Sequence, residues 1–256
     1  MRTFLAFFRK EWMEQIRSSR LVLLIIIFVL FGIMNPAFAK ITPWLMETMA
    51  ETLEDTGPTV TAVTVDALTS WTQFYKNIPM ALILFVLLYS GSFCTELQKG
   101  TLIPVLTKGF GRWKTVIAKY VMQLIMWTVC YLLCFMITYG YNAYFWDNSI
   151  AANIGLAAVL YWLFGVLVIS IMLLFSVIAA SAGAVLAGCG AVALIMYFSG
   201  LFPYIKDYTP YRLTDGMSLL IKQTTPDRYP VVVVLSICII ALCISGTIVI
   251  FNRKKI

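Results

Sequence analysis

The amino-acid sequence predicts an all-α integral membrane protein with six transmembrane helices. Apolar residues make up 61% of the 256 residues and charged residues only 12%, whereas soluble domains are about a quarter charged. Six apolar stretches approach the length of about 20 residues that crosses the hydrocarbon layer; they are residues 21–39, 78–94, 117–139, 150–180, 182–202 and 231–251. The fourth stretch is the longest, so we expect it to tilt or to extend beyond the bilayer.

The positions of the basic residues predict which side of the membrane each loop faces. Thirteen of the nineteen arginines and lysines lie in the first 20 residues, in residues 94–119 or after residue 252. The other loops hold nine of the twelve acidic residues. Because short loops rich in lysine and arginine stay in the cytoplasm, both termini and the loop 94–114 are predicted to be cytoplasmic, in the cell membrane. This topology, together with anionic lipid, accounts for the net charge of +7 without a nucleic-acid partner.

The first 20 residues are predicted to form an amphipathic helix that lies in the membrane interface. Over residues 3–19, one face carries five large apolar residues: Phe4, Leu5, Phe8, Trp12 and Ile16. The opposite face carries three charged residues: Lys10, Glu14 and Arg17. A helix with this pattern ahead of a membrane span lies at the interface with its apolar face toward lipid.

The loop over residues 40–77 is predicted to be external and to contain two helical pieces. Thr42 is predicted to cap a short helix with Pro43 at its first position, and a second helix is predicted to start near Asp66. Four acidic residues are predicted to line the solvent-exposed face of the first helix before Gly57-Pro58 ends it: Glu47, Glu51, Glu54 and Asp55. An acidic face of this kind either binds a cationic cargo or is plain solvated surface, and the second is the commoner case.

The later spans carry packing signals. Ala180, Ala184 and Gly188 recur every four residues, which allows close approach of neighbouring helices. The external segment 204–230 has prolines at both ends and around the apolar piece GMSLLI. It is too short to span the membrane, so we expect a broken helical hairpin before the sixth span. No linker divides residues 1–256 into separate domains.

The sequence lacks the groups that would power transport from within the chain. Aspartate, glutamate, lysine and arginine are missing from the middle of every predicted span, and the chain has no histidine. Ion-coupled carriers place such groups at mid-depth. The chain also has no P-loop for nucleotide phosphates, and its six cysteines are interpreted as small apolar residues rather than metal ligands. We therefore expect no catalytic, metal or cofactor site in this chain, and energy supplied by a partner.

The loop between spans two and three is the candidate contact with that partner. Its sequence is CTELQKGTLIPVLTKGFGRWK, residues 94–114. Gly100 is predicted to end the second span, and Thr101 to cap a short helix that Gly109 and Gly111 terminate. Leu102, Ile103, Val105 and Leu106 are predicted to present an apolar surface. Two interpretations stay open: a helix that docks into the groove of another protein, or a loop that lies on the membrane with its basic side chains at the interface.

The chain resembles the ABC-2 type permeases, the membrane subunits of type V ATP-binding-cassette exporters. The resemblance rests on FFRKEWMEQIRSSR before the first span and on ELQKGTLIPVLTKGFGRWKTVIAKY after the second, which is similar to the family pattern E…GTL…L…R…K. One departure is that Gly109-Phe110-Gly111 precedes Arg112, where the family often has a proline.

The resemblance implies a specific assembly. Two permease subunits, identical or different, would pair with two separate cytoplasmic ATPase subunits that bind ATP and Mg. The coupling helix would lie around residues 96–108, with Glu96, Gly100, Thr101, Leu102 and Pro104 at the positions that match the family, and it would sit in a cleft of the ATPase. The resemblance also implies export from a prokaryotic cell.

The sequence favours a hydrophobic or amphipathic cargo such as a peptide, drug or lipid. Trp127 and Trp162 lie near mid-depth and could line a substrate path, although packing explains them equally well. The main alternative is a membrane immunity or sensor subunit that binds a peptide or toxin through its acidic external loop. A third alternative, an uncoupled channel, is disfavoured by the apolar spans.

Overall fold

The structure is a computed structural model that describes residues 2–53, 66–107, 109–179, 181–202 and 204–254. The regular elements in these ranges are all helical. Nine α-helices are present: α1 Arg2–Arg17, α2 Arg20–Leu53, α3 Ala67–Gln98, α4 Ile103–Thr107, α5 Arg112–Phe145, α6 Ile154–Ile178, α7 Ala182–Leu201, α8 Gly216–Leu220 and α9 Pro230–Arg253. Short 3₁₀ turns cover Asn148–Ile150, Pro210–Thr214 and Pro226–Arg228.

Six helices are long and apolar enough to cross a membrane, as the sequence predicts. They are α2 over Arg20–Trp44, α3, α5, α6, α7 and α9. Helix α6 covers Ile154–Ile178, so it is shorter than the apolar stretch 150–180, and α2, α3 and α5 are all longer than α6. Asp147 accepts a hydrogen bond from the backbone N–H of Ser149 and caps a separate 3₁₀ turn, and Asn153 has a left-handed backbone, so α6 begins only at Ile154.

Helix α2 is continuous where the sequence predicts a break. Pro36 and Pro43 both lie inside it, and the Thr42 hydroxyl donates to the Phe38 carbonyl at 2.7 Å rather than capping a new helix. A proline inside a helix leaves the carbonyl four residues earlier without its N–H donor. For Pro36 that carbonyl belongs to Gly32, and it accepts a hydrogen bond from the Thr138 hydroxyl at 3.2 Å. A neighbouring span therefore satisfies the backbone, as often happens in membrane helices.

The start of α3 confirms the second helical signal of the external loop. Asp66 is its N-cap, and the carboxylate accepts a hydrogen bond from the backbone N–H of Thr69 at 3.1 Å. Of the acidic run, positions 47 and 51 lie on the end of α2, while Glu54 and Asp55 lie outside the described residues.

The core lies where α2, α3, α5 and α6 meet. Helix α2 packs most extensively against α5 and α3, and α6 packs against α9. The largest fully buried side chains are aromatic; they include Trp71, Phe74, Phe85, Trp127 and Tyr131. Helices α7 and α9 are different, because the rest of this chain buries little of their most apolar stretches.

The small-residue prediction holds at one position. A Cβ atom on Gly188 would lie 2.6 Å from the ring of Phe175, so glycine lets α7 approach α6 closely. Ala184 is exposed, and Ala180 lies outside the described residues.

The segment before α9 is folded onto the bundle in short pieces. The 3₁₀ turn Pro210–Thr214 and helix α8 both pack on α6, and Leu213, Leu219 and Leu220 are buried. The Arg212 guanidinium forms an ion pair with Asp207 and lies over the Tyr229 ring. The predicted interruption of helical structure before the sixth span is therefore present.

Candidate functional site

The turn that contains α4 is built on Glu96 and on two glycines, Gly100 before α4 and Gly109 after it. Gly100 has φ +66° and Gly109 has φ +83°, backbone conformations that side chains with a Cβ rarely adopt. The backbone N–H and the hydroxyl of Thr101 both donate to the carbonyl oxygen of Glu96, at 3.2 and 3.3 Å. Thr101 therefore closes the end of α3, and the prediction that it caps α4 is wrong.

The side chains around α4 divide into buried anchors and an exposed edge. Leu102 is only 1% exposed and belongs to the hydrophobic core, and Leu106 is half-buried against the same core. Ile103 is 42% exposed, and Pro104 is exposed as well. The expected apolar surface is therefore narrower than the sequence suggests, because Leu102 points inward and fixes the turn to the bundle.

A buried group of three charged side chains lies beside this turn; we call Glu11, Glu96 and Lys119 the charged cluster. The Lys119 ammonium lies 3.2 and 3.0 Å from the two carboxylate oxygens of Glu11 and 2.5 Å from Oε1 of Glu96. The side chains of Lys119 and Glu11 are almost fully buried, and that of Glu96 is 12% exposed. One ammonium from α5 thus joins carboxylates from α1 and α3.

Helix α1 turns a different face to the bundle from the one the sequence highlights. Phe7, Glu11 and Gln15, each four residues from the next, are buried. Gln15 accepts a hydrogen bond from the Tyr89 hydroxyl at 2.9 Å. Three residues of the predicted apolar stripe remain exposed: Leu5, Trp12 and Ile16. This arrangement suits an interfacial helix, with one face on the protein and an apolar face left for lipid.

A second contact joins α1 to the far side of α4. The Phe7 ring stacks on the Phe110 ring, which follows α4, with their centroids 5.0 Å apart. The charged cluster reaches Glu96, which precedes α4. Helix α1 therefore contacts the chain on both sides of α4.

Basic side chains also tie together the helices that end on this side of the bundle. One guanidinium nitrogen of Arg112, at the start of α5, donates to the carbonyls of Phe251, Asn252 and Lys254 at 3.1, 2.9 and 2.7 Å. The Lys254 ammonium donates to the Val177 carbonyl at the end of α6, at 2.7 Å. Cations suit helix C-termini, where free carbonyls give a partial negative charge. These contacts place α1, α4 and the end of α9 at one end of the bundle, which we call the inner end.

The comparison with known protein families decides the assignment. The family model described as ABC-2 family transporter protein matches residues 5–237. The chain belongs to this family. The matched region includes α1, the α4 turn and the charged cluster. A comparison with curated proteins gives no match.

Because it belongs to this family, the chain is a multi-pass membrane transport component. The α4 turn is the part of it that was predicted to contact a partner. That turn contains or adjoins all the residues predicted to contact the ATPase: Glu96, Gly100, Thr101, Leu102, Ile103, Pro104 and Leu106. Glu11 and Lys119 were not predicted from the sequence to form a cluster with Glu96. The available signals were the Phe7, Glu11, Gln15 spacing on α1 and the presence of one lysine, Lys119, within the predicted third span.

The two tryptophans proposed for a substrate path are packed in this ABC-2 transporter. Trp127 is fully buried, and its indole N–H donates to the Trp162 carbonyl at 3.2 Å. The Trp162 indole N–H donates to the Thr128 hydroxyl at 3.0 Å. A Cβ atom on Gly165 would lie 2.2 Å from the Trp127 ring. This geometry favours the packing interpretation for Trp127.

Lys10, on the surface of α1, forms ion pairs with Glu11 of the charged cluster and with Glu14. Its ammonium lies 3.5 Å from Glu11 and 3.3 Å from Glu14. Partial burial lowers the pKa of Lys10, but the carboxylates of Glu11, Glu96 and Glu14 outweigh this effect and raise the pKa above its usual value. Lys10 therefore stays protonated under physiological conditions and offsets part of the negative charge of the three carboxylates.

Proposed function

We propose that this protein is the permease subunit of an ATP-binding-cassette exporter. In this proposal a separate cytoplasmic ATPase binds ATP and Mg and seats the α4 turn in a cleft. Two permease subunits, identical or different, form the pathway in the cell membrane, with both termini in the cytoplasm. The cargo is a hydrophobic or amphipathic molecule such as a peptide, drug or lipid.

The observation that carries the proposal is the construction of the α4 turn. A five-residue helix exposes Ile103 and Pro104, while Leu102 and the Thr101–Glu96 hydrogen bonds fix it to α3. A short helix held in this way can transmit movement, because its base cannot shift independently of α3. The match to the ABC-2 family over most of the chain supports the same reading.

The position of the turn relative to the basic residues supports a cytoplasmic partner. Arg112 and Lys254 hold their helices together at the inner end, where α4 also lies. Inner-end loops rich in lysine and arginine are typical of the cytoplasmic side. An ATPase in the cytoplasm would therefore meet α4 directly.

Ile103→Asp tests the proposal, and Ile205→Asp is its matched control. Both isoleucines are about half exposed, but Ile205 follows α7 at the opposite end of the bundle. The full-length protein is purified with the ATPase encoded beside it. We expect Ile103→Asp to weaken recovery of the complex by roughly tenfold, since a charge in a docked apolar contact costs over 1 kcal/mol, while Ile205→Asp leaves it unchanged.

Two results would contradict the proposal. One is that the wild-type protein recovers no ATPase at all. The other is that Ile103→Asp binds and stimulates the ATPase as well as the wild-type protein does. Leu102→Asp is not a suitable test, because it places a carboxylate in the core and would unfold the turn.

A further inference from the structure

Helix α1 is attached to both sides of the α4 turn through two chemically different contacts. The charged cluster connects it through Lys119 to Glu96, before α4. The Phe7–Phe110 stack connects it to Phe110, which follows α4. Because the Glu96 carbonyl also accepts both Thr101 hydrogen bonds, the side chain of Glu96 holds Lys119 while its backbone holds the turn.

We infer that α1 and the turn over residues 96–110 form one mechanical unit, in which Glu11, Lys119 and Phe7 are positioning residues that make the interfacial helix move with α4. The inference rests on the proposed function where it concerns the ATPase, but the unit itself exists in the protein alone. Force applied to α4 is then passed to a helix that lies along the membrane surface, not only to the two spans that flank it.

The charge balance of the cluster explains why it acts as a firm joint. Two buried carboxylates share one buried ammonium, and Oε2 of Glu96 is buried without a hydrogen-bond partner among the described residues. Separating either carboxylate from Lys119 would leave a buried charge without its buried partner, which is strongly unfavourable. The half-exposed Lys10, 3.5 Å from Glu11, would compensate only in part. The three helices therefore keep their arrangement and move together.

The first test measures hydrogen exchange of α1 in the full-length protein in lipid nanodiscs. The variant is Lys119→Met, which removes the ammonium and leaves the two carboxylates in place, because a buried ionic cluster is costly to leave half-broken. We expect backbone exchange in α1 to rise roughly tenfold or more, because its link to α5 is lost and local opening becomes easier. The control Glu14→Gln, on the exposed face of α1, should exchange like the wild-type protein. Wild-type exchange in Lys119→Met would overturn the inference.

The second test locks α1 to the turn in an otherwise native protein, so it does not depend on a variant that folds poorly. Phe7→Cys/Phe110→Cys is joined by a short thiol cross-linker in the complex with the ATPase. Phe7→Cys alone and Phe110→Cys alone serve as controls, which also report any reaction with the six native cysteines. Cross-linked complexes should keep stimulation of ATP hydrolysis by the permease within about twofold of the uncross-linked sample, as expected for parts that do not move relative to each other. A loss of stimulation on cross-linking would overturn the inference.

The outcomes separate this inference from the proposed function. If no ATPase complex forms with the wild-type protein, the proposed function fails, while the exchange measurement still decides whether α1 and the turn are one unit. If the complex forms and Lys119→Met retains full stimulation of the ATPase together with wild-type exchange, the inference alone fails.

Discussion

At the inner end of the bundle α1, α3 and α5 are joined by buried charges, whereas in the outer half α2, α3 and α5 are joined by neutral amides. The inner joint is the charged cluster of α1, α3 and α5. In the outer half, the side-chain amide of Asn77 donates to the side-chain carbonyl oxygen of Asn35 at 2.8 Å. The side-chain amide of Asn35 donates to the Thr138 hydroxyl at 3.2 Å. These outer bonds connect α3, α2 and α5.

The loss of a buried ion pair and the loss of an amide hydrogen bond have different effects on stability. A buried ion pair contributes little net stability against an apolar replacement, but it is costly to leave half-broken. An amide hydrogen bond contributes about 1 kcal/mol net. The inner end, which carries the proposed ATPase contact, therefore uses the joint that resists partial separation, while the outer half uses bonds that can exchange at modest cost.

The largest effect is expected from Lys119→Met. It removes the buried ammonium that both Glu11 and Glu96 contact and leaves only the half-exposed Lys10 near them, so the free energy of unfolding should fall by about 3–5 kcal/mol. Denaturant unfolding in mixed micelles measures this change. Lys76→Met, at an exposed lysine of α3, is the control and should stay within about 0.5 kcal/mol of the wild-type protein. Equal effects of the two substitutions would remove the distinction between the inner joint and an ordinary surface charge.

The outer half should show effects of intermediate size and opposite sign at two asparagines. Asn35→Leu leaves the Asn77 amide without its acceptor, and should destabilise by about 1–3 kcal/mol. Asn142 is fully buried, and neither atom of its carboxamide has a partner among the described residues. Asn142→Leu removes this unsatisfied group and should stabilise the protein by a similar amount. The same unfolding measurement checks both, and a destabilised Asn142→Leu would mean that the amide is satisfied in the membrane.

The smallest effect is expected from Lys10→Met. Its ion pair with Glu14 is about half exposed, and exposed pairs contribute at most about 1 kcal/mol. Because solvent ions screen such pairs, the difference between Lys10→Met and the wild-type protein should shrink as salt is added, whereas the defect of Lys119→Met should persist. Salt titration of the unfolding midpoint separates the two.

Because the pKa of Lys10 is shifted, the stability difference between Lys10→Met and the wild-type protein is expected to depend on pH. Its pKa in the folded protein is raised, so its stabilising contribution is present below its ordinary pKa of 10.5 and is lost as the pH rises through the higher folded value. Lys10→Met should therefore differ from the wild-type protein in the neutral range and converge with it at strongly alkaline pH.

Patterns within one helix were predictable from sequence, and pairings between helices were not. The six apolar stretches, the helix start near Asp66 and the presence of a short helix between the second and third spans follow from local rules of length, capping and glycine placement. The break at Pro43 was mispredicted because the local rule takes proline as a helix start, while in the bundle α2 continues through both prolines and Thr138 satisfies the carbonyl that Pro36 leaves free.

The candidate site shows the same division. The position of the α4 turn could be predicted, but the inward position of Leu102 could not, since its burial depends on where α4 meets the core. Glu11 and Lys119 are 108 residues apart in the chain. Nothing local to either residue specifies its partner, and only the packing of α1 on α5 brings them together.

Because α2 is long and continuous, a small rotation at its inner end would produce a large displacement at its outer end. Its 34 residues give a length of about 51 Å, well beyond the roughly 30 Å of the hydrocarbon layer. Trp44, with an exposed side chain, lies about 36 Å along this rod, so a pivot of only 10° at the base would sweep it sideways by about 6 Å. A spectroscopic probe at position 44 would thus magnify rearrangements that are barely visible where they originate.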